Sequence, residues 1–137
     1  MKEHQLEVAT QGRGIYRLDG KINRWLRTTG TRGGLCHLFI LHTSASLIVT
    51  ENADPDVHRD LEVWMSANVI DGDPRFAHDC EGPDDMPAHI RSVLTQTAIS
   101  VPVDHQGLVL GTWQGVYLWE HRVDPHHRRV RLTLLEN

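Results

Sequence analysis

The stretch "HDCEGPDDMPAH", residues 78–89, places two histidines, a glutamate, a cysteine and the adjacent pair Asp84–Asp85 within twelve positions. Imidazoles and carboxylates at this density can bind a divalent ion or move protons. His78 and His89 are eleven residues apart and cannot share one helix face, but the Gly82-Pro83 turn can fold them together. With Asp85 as N-cap of a helix through "MPAHIRSVLTQT", His89 falls in the first turn and projects toward the loop carrying His78. A third imidazole, His42, would complete a three-nitrogen set suited to Zn²⁺ or a similar ion with one position open. Glu81 and Asp85 would then accept hydrogen bonds from the ligands or act as acid and base. The alternative is a solvated acidic loop.

Two other stretches carry chemistry. In "LHTSAS" (41–46), His42 ends an apolar strand, where the sheet holds an imidazole rigidly, and Thr43, Ser44 and Ser46 supply hydroxyls that could bind a phosphate. In "LGTWQGVYLWEHR" (110–122), Gly111 and Gly115 permit close backbone approach around Trp113 and Gln114. Glu120 shares a strand face with Val116 and Leu118, so its carboxylate points where apolar groups point and needs a partner. These features predict a largely buried Trp113 and a Glu120 that faces the cavity of the histidines.

The elements that position these residues follow from periodicity. "LEVAT" (6–10), a short piece of "GRGIYRLDG", "LCHLFIL", "ASLIVTE", "AISVPV", "LVL", "GVYLWEHRV" and "RRVRLTLLE" read as strands. In "LCHLFIL", Leu35, His37, Phe39 and Leu41 share one face. Helices are expected after Asp19, with Ile22, Trp25 and Leu26 on one face and Gly30 as the stop. Another is expected over 52–69, with Asp54 as N-cap, Pro55 at N1 and an apolar stripe of Val57, Leu61, Trp64 and Met65. In the helix after Asp85, Ile90, Val93 and Leu94 are expected to face inward. Interspersed helices and strands with C-terminal meanders argue for an α+β domain with mostly antiparallel sheets.

Bulk composition narrows the function. The 137 residues fit one domain, 1–137, and 39% hydrophobic with 23% charged residues is an ordinary globular balance. A net charge of -4 gives no electrostatic reason to expect nucleic acid or an anionic membrane as partner. The basic run "HHRRVRL" (126–132) reads as a strand with one solvated face. Arg91 and Arg122 are the nearest basic candidates for a phosphate, with solvated side chains as the alternative. Cys36 and Cys80 have no CxxC spacing, and the start has no apolar signal region, so a reducing, cytoplasmic setting is expected. Of the ten histidines, His4, His37, His58, His105, His126 and His127 read as surface or half-buried.

The three blocks "LHTSASLIVTENADPDVHRDLE", "HDCEGPDDMPAHI" and "LGTWQGVYLWEHR", in this order, resemble the signature blocks of the YjbQ-type family, also named the secondary thiamine-phosphate synthase family. The resemblance spans roughly residues 5 to 136. It implies mixed, mostly antiparallel β-sheets packed as a sandwich with helices outside, and a homotrimer with metal-bearing histidine sites near subunit contacts. It also implies a weak thiamine-phosphate synthase activity, joining a hydroxymethylpyrimidine diphosphate to a thiazole phosphate with loss of pyrophosphate. The positions that match are His42, Thr43, Ser44 and Glu51–Asn52, then His78, Glu81, Asp85, Pro87 and His89, then Gly111, Thr112, Trp113, Gln114 and Glu120. His121 departs from the pattern and is expected at the surface.

Residues and resemblance together assign His42, His78 and His89 to a divalent metal, with Zn²⁺ the expected ion. Glu81, Asp85, Glu120 and Ser44 are assigned to catalysis, and Thr43, Thr112, Trp113 and Gln114 to binding a phosphorylated small molecule. Two competing readings remain. One is a metal-dependent hydrolase with Glu81 or Glu120 as base. The other is a non-catalytic trimeric binder whose metal is structural. The apolar content of 35–49 exceeds what one small sandwich needs and agrees with a trimer.

Overall fold

Residues that alternate between apolar and polar build most of the molecule. The computed structural model describes residues 1–137 and contains eight strands and three helices. In β8 (His127–Glu136), Val130, Leu132 and Leu134 are fully buried, and Arg128, in phase with them, is buried too. This strand lies between β1 (Lys2–Ala9) and β3 (Gly33–Ile40), and the sheet continues through β5 (Ala98–Asp104) to the two-residue β6 (Gly107–Leu108). A second sheet has the order β2 (Gly14–Arg17), β7 (Gln114–Glu120), β4 (Ala45–Glu51). Every neighbouring pair in both sheets is antiparallel.

The two sheets share one apolar core. Cys36, Leu38, Ile40, Val101 and Leu132 of the larger sheet meet Leu47, Val116 and Leu118 of the smaller. Helix α1 (Asp19–Thr29) adds Ile22 and Leu26 to this cluster, with Leu18 just before it. As expected, Gly30 stops the helix in the left-handed conformation at φ 68°. Trp25 is half-buried and stacks on His4 with ring centroids 5.6 Å apart.

The other face of the small sheet is covered by α2 (Pro55–Asn68) and α3 (Asp85–Leu94), around Met65, Val69 and Trp119. The α2 start is as the sequence dictates: the Asp54 side chain accepts from Asp56 N–H at 2.9 Å and Pro55 occupies the first turn. Of its expected stripe, Met65 is buried and Leu61 packs beside it, but Trp64 is 56% exposed.

Two local expectations are corrected and a third is refined. Residue 84, not 85, is the N-cap of α3, and it makes no side-chain cap because its carboxylate is engaged elsewhere. The buried face of α3 is Asp85, Pro87, Ala88 and Arg91, while Val93 and Leu94 are exposed and only Ile90 packs inward. In β3, Leu35, His37 and Phe39 do share a face, but it is the outer one. No helix packs over it, and Leu35, Phe39, Leu41 and Leu135 remain 37–47% exposed there.

Candidate active site

Two arginine–carboxylate centres organise the end of the molecule where β7 runs out. The first is closed. Glu120 is fully buried, and its Oε1 accepts from Thr10 Oγ1 at 2.6 Å and Arg128 Nε at 2.8 Å. Its Oε2 accepts from Arg128 Nη2 at 2.6 Å and from the backbone N–H groups of His121 and Arg122 at 3.0 and 3.2 Å. Arg128 Nη2 also donates to Ser44 Oγ at 3.0 Å. Burial pushes the Glu120 carboxyl up, but Arg128 and Thr10 more than offset it and hold it below the usual carboxylate range. A carboxylate this saturated cannot serve as a proton acceptor. The partner its strand phase demanded is Arg128.

The second centre is open. Asp85, buried at the start of α3, accepts at Oδ2 from His78 Nε2 at 2.6 Å and His89 Nε2 at 3.2 Å. Its Oδ1 lies 2.9 Å from Arg122 Nη1. Arg122 Nε donates to Asp84 Oδ2 at 2.9 Å, and Nη2 donates to the Glu81 carbonyl at 2.9 Å. Desolvation raises the Asp85 carboxyl, yet the His78 hydrogen bond and the charges of Arg122 and His89 bring it below its ordinary value. The two imidazoles meet edge-on, with centroids 5.3 Å apart. One ligand atom from each of His78, Asp85 and His89 fits within a 4.8 Å span. His78 also lines a cleft of about 370 Å³ with Phe76, Met86 and Pro83. Glu81 is exposed beside it.

The structure therefore joins His78 and His89 as the sequence requires, through Asp85, and leaves His42 outside the group. His42 Nε2 accepts from the Arg129 backbone N–H at 2.8 Å, and its Nδ1 lies 3.5 Å from Arg128 Nη1. Burial, then Arg128 and Arg129, push its pKa down. Trp113 is 65% exposed, overturning the buried expectation. Thr112 and Gln114 are exposed as well. Asn52 explains why this turn is nonetheless ordered: its Nδ2 donates to the carbonyls of Thr112 and Gln114, and its backbone N–H to that of Trp113, all at 3.0 Å. Gly115 does allow a close approach, since a Cβ there would meet the Tyr117 ring at 2.7 Å.

The β4–β7 register separates the halves of the expected site. Ala45 pairs with Glu120 at one end and Glu51 with Gln114 at the other. Six residue steps along a strand put the Trp113 turn about 20 Å from Glu120 within one chain. Thr43 is exposed, on the His42 side.

With this arrangement defined, comparison with known proteins places it. The family model described as "UPF0047 protein YjbQ-like" matches residues 4–137. The chain belongs to the YjbQ-like UPF0047 family. A UPF0047 protein of Synechocystis is 50% identical over 131 residues, covering 94% of this chain and 89% of the relative. The UPF0047 protein YjbQ of Escherichia coli O157:H7 is 39% identical, covering 94% of each. Among solved structures, a conserved hypothetical protein of Thermus thermophilus superposes with a TM-score of 0.87 at 33% identity, covering 96% of this chain and 99% of that one. A hypothetical protein of Aeropyrum pernix superposes at 0.89 with 28% identity over the full length of both chains. The α+β fold with antiparallel sheets is thus that of YjbQ-like proteins.

Four residues at this YjbQ-like site escape a reading of the sequence. His121, expected at the surface, is fully buried between Ser46 and Trp119, with Nε2 2.8 Å from Ser46 Oγ. Burial, with Arg91, Arg13 and Arg128 around it, lowers its pKa to about 3. Arg91 and Arg122 are not solvated: Arg91 is fully buried on Glu62, whose Oε2 also accepts from Trp119 Nε1 at 3.0 Å. Arg122 is held by Asp84 and Asp85. Arg128 lies on the buried face of its strand, not the solvated one. Its phase with Val130, Leu132 and Leu134 is the signal that could have found it.

Proposed function

We propose that this YjbQ-like protein is a metal-dependent transferase acting on a phosphorylated small molecule, with thiamine-phosphate synthase-type chemistry as the best candidate. The observation that carries the reading is the convergence of His78, Asp85 and His89. Two neutral imidazoles and a carboxylate are a donor set that suits Zn²⁺ with a position left open. Asp85 takes the place that His42 was expected to fill. A bound ion would supply a Lewis acid for a departing pyrophosphate.

The chain's own residues do the rest. Arg122 fixes Asp85 at Oδ1, leaving Oδ2 directed at both imidazoles. Phe76, Met86 and Pro83 give the adjoining cleft an apolar side against which a flat ring can pack. Glu81 is an exposed carboxylate beside Asp85 and Arg122. Hydrolysis loses one of its two candidate bases, because every acceptor position of Glu120 is occupied. That favours group transfer.

The reading includes a homotrimer. Its support is the uncovered outer face with Leu35, Phe39, Leu41 and Leu135, and the braced Trp113 turn, too far from the histidines to serve them within one chain. Light scattering should give three times the chain mass, and a monomer mass at micromolar concentration would refute it.

The deciding experiment has two readouts. Purified protein should carry about one Zn²⁺ per chain and form the product from the pyrimidine diphosphate and thiazole phosphate. His89→Ala should lose both while keeping its circular dichroism. Full metal content in His89→Ala would refute the site.

A further inference from the structure

β1 presents the longest uncovered strand edge of the molecule. β6 has two residues and β2 has four. The free side of β4 is met by Gln96, whose carbonyl accepts from Leu47 N–H at 2.7 Å. β5 carries Pro102 and pairs with β6 over its last two residues. β1 instead runs for eight residues without proline or bulge, paired with β8 alone. Its phase is set just past the strand, where Thr10 N–H donates to the His126 carbonyl at 2.8 Å in the same register. Even-numbered residues therefore turn their N–H and C=O groups to β8, while Glu3, Gln5, Glu7 and Ala9 turn theirs outward, where no strand pairs with them. Such an edge is a template for another strand, and proteins normally blunt it.

α1 runs beside this edge. A groove of about 530 Å³ is lined by His4, Leu6 and Glu7 of β1 and by Lys21, Arg24, Trp25 and Thr28 of α1. The His4–Trp25 stack ties strand to helix, and Lys2 Nζ donates to the Thr29 carbonyl at 2.7 Å. Lys21 and Arg24 are exposed and unpaired. Among Lys and Arg, only Lys21, Arg24, Arg27, Arg32 and Arg129 have no carboxylate within 4 Å. All but Arg129 fall within residues 21–32, which contain no Asp or Glu. The carboxylates of β1 do not neutralise them. Glu3 and Glu7 alternate with Leu6 and Val8, which face the core beside α1, so their side chains project from the opposite face. There Glu3 is paired with Arg131 and Glu7 accepts from Gln5 Nε2.

We infer that the β1 edge and the Lys21–Arg24 flank of α1 form a docking groove for an extended acidic peptide segment of another protein, which adds to the large sheet as a sixth strand. Main-chain hydrogen bonds to Glu3, Gln5 and Glu7 hold the segment and fix its register. Every second side chain then points toward α1, where a carboxylate meets Lys21 or Arg24. The alternate side chains lie on the face of Glu3 and Glu7, where a carboxylate is repelled. The partner is therefore acidic at alternate positions. Charge complementarity of this kind selects the partner and speeds the encounter. The groove shares no residue with the His78–Asp85–His89 centre and does not depend on what that centre does.

The probe is an N-acetylated, C-amidated heptapeptide of alternating threonine and glutamate, titrated into the full chain at low salt and followed by amide hydrogen exchange. Saturable binding with a Kd below about 1 mM is expected, with slowed exchange at Glu3, Gln5 and Glu7. The matching threonine–glutamine peptide should bind about tenfold more weakly. Lys21→Glu combined with Arg24→Glu should weaken the glutamate peptide by at least about tenfold and admit a threonine–lysine peptide instead. Both side chains are exposed, so the double variant should keep its circular dichroism. N-methylation of the peptide amides, which leaves the charges in place, should abolish binding and needs no change to the protein. No saturation below about 5 mM would overturn the groove. So would equal affinity for the glutamate and glutamine peptides, or binding without slowed exchange at the three edge amides. Slowed exchange at those amides that rises with protein concentration, without peptide, would give the edge to a second copy of the chain and overturn the proposal too.

Discussion

Arg128 and Arg122 solve the same problem, an arginine beside carboxylates, in opposite ways. Arg128 is locked between two sheets against a single glutamate whose oxygens are all occupied. Arg122 spans two aspartates and a carbonyl near the surface, and the carboxylate it holds still faces two partly exposed imidazoles. The closed centre buries its charges and stiffens the sandwich. The open centre keeps its two imidazoles partly exposed, joined only through Asp85. Arg122 N–H donates to the Glu120 carboxylate, so the closed centre braces the open one.

Breaking the closed pair should have the largest effect. Glu120→Gln leaves Arg128 buried without its counter-charge and should cost about 3–5 kcal/mol in urea unfolding. A loss below about 1 kcal/mol would mean that the pair is not holding the sheets together. Next comes acid. The folded-state pKa of His121, about 3, lies below its ordinary 6.5. On acidification the unfolded chain takes up this proton first, so the contribution is complete above about pH 6.5 and is lost progressively toward pH 3. By about pH 4.5 the loss should be about 2–3 kcal/mol. His121→Asn should flatten the stability profile over that interval, and an unchanged slope would assign the acid sensitivity elsewhere.

The open centre should respond more mildly in stability and more strongly in function. Asp85→Asn removes an ion pair with a partner near solvent and should cost about 1–3 kcal/mol, with loss of metal content as the main result. Retained metal with the same destabilisation would make Asp85 purely structural. Smallest of all, Trp113→Ser should shift the chain's own stability by no more than about 0.5 kcal/mol, because the indole is exposed. Light scattering on that variant then reads whether the turn contributes to assembly.

The same contrast explains what is legible in the sequence. Glu120 is readable as an inward carboxylate because it keeps phase with Val116 and Leu118. The same phase puts His121 outside, which is correct for the strand but not for the molecule: α2 and α3 cover that face, so both sides of the small sheet are interior. In β3 the two faces are nearly equally apolar, and period alone does not say whether Leu38 or Phe39 is inside. In α3 an apolar stripe of Ile90, Val93 and Leu94 looks like the core, but Arg91 is the buried residue because Glu62 of α2 supplies its counter-charge. Such a pairing across 29 positions has no local signature. His78 and His89 are found together because the turn between them is local. That His42 stays apart from them is not legible in the sequence, because its partner, the backbone of Arg129, is 87 residues away.

The central place of β8 bears on how the molecule is made. It is the last element in chain order, yet it lies between β1 and β3 and pairs residue by residue with both, Lys2 to Leu134 and Ile40 to Val130 among them. Until it emerges, β1 has no neighbour and Glu120 has no counter-charge. Assembly of the large sheet is therefore dominated by contacts between distant parts of the chain, and slow by the standards of helical domains of this size. Nascent chains stalled before residue 127 would expose the apolar faces of β1 and β3 together, and those faces are what chaperones would have to shield.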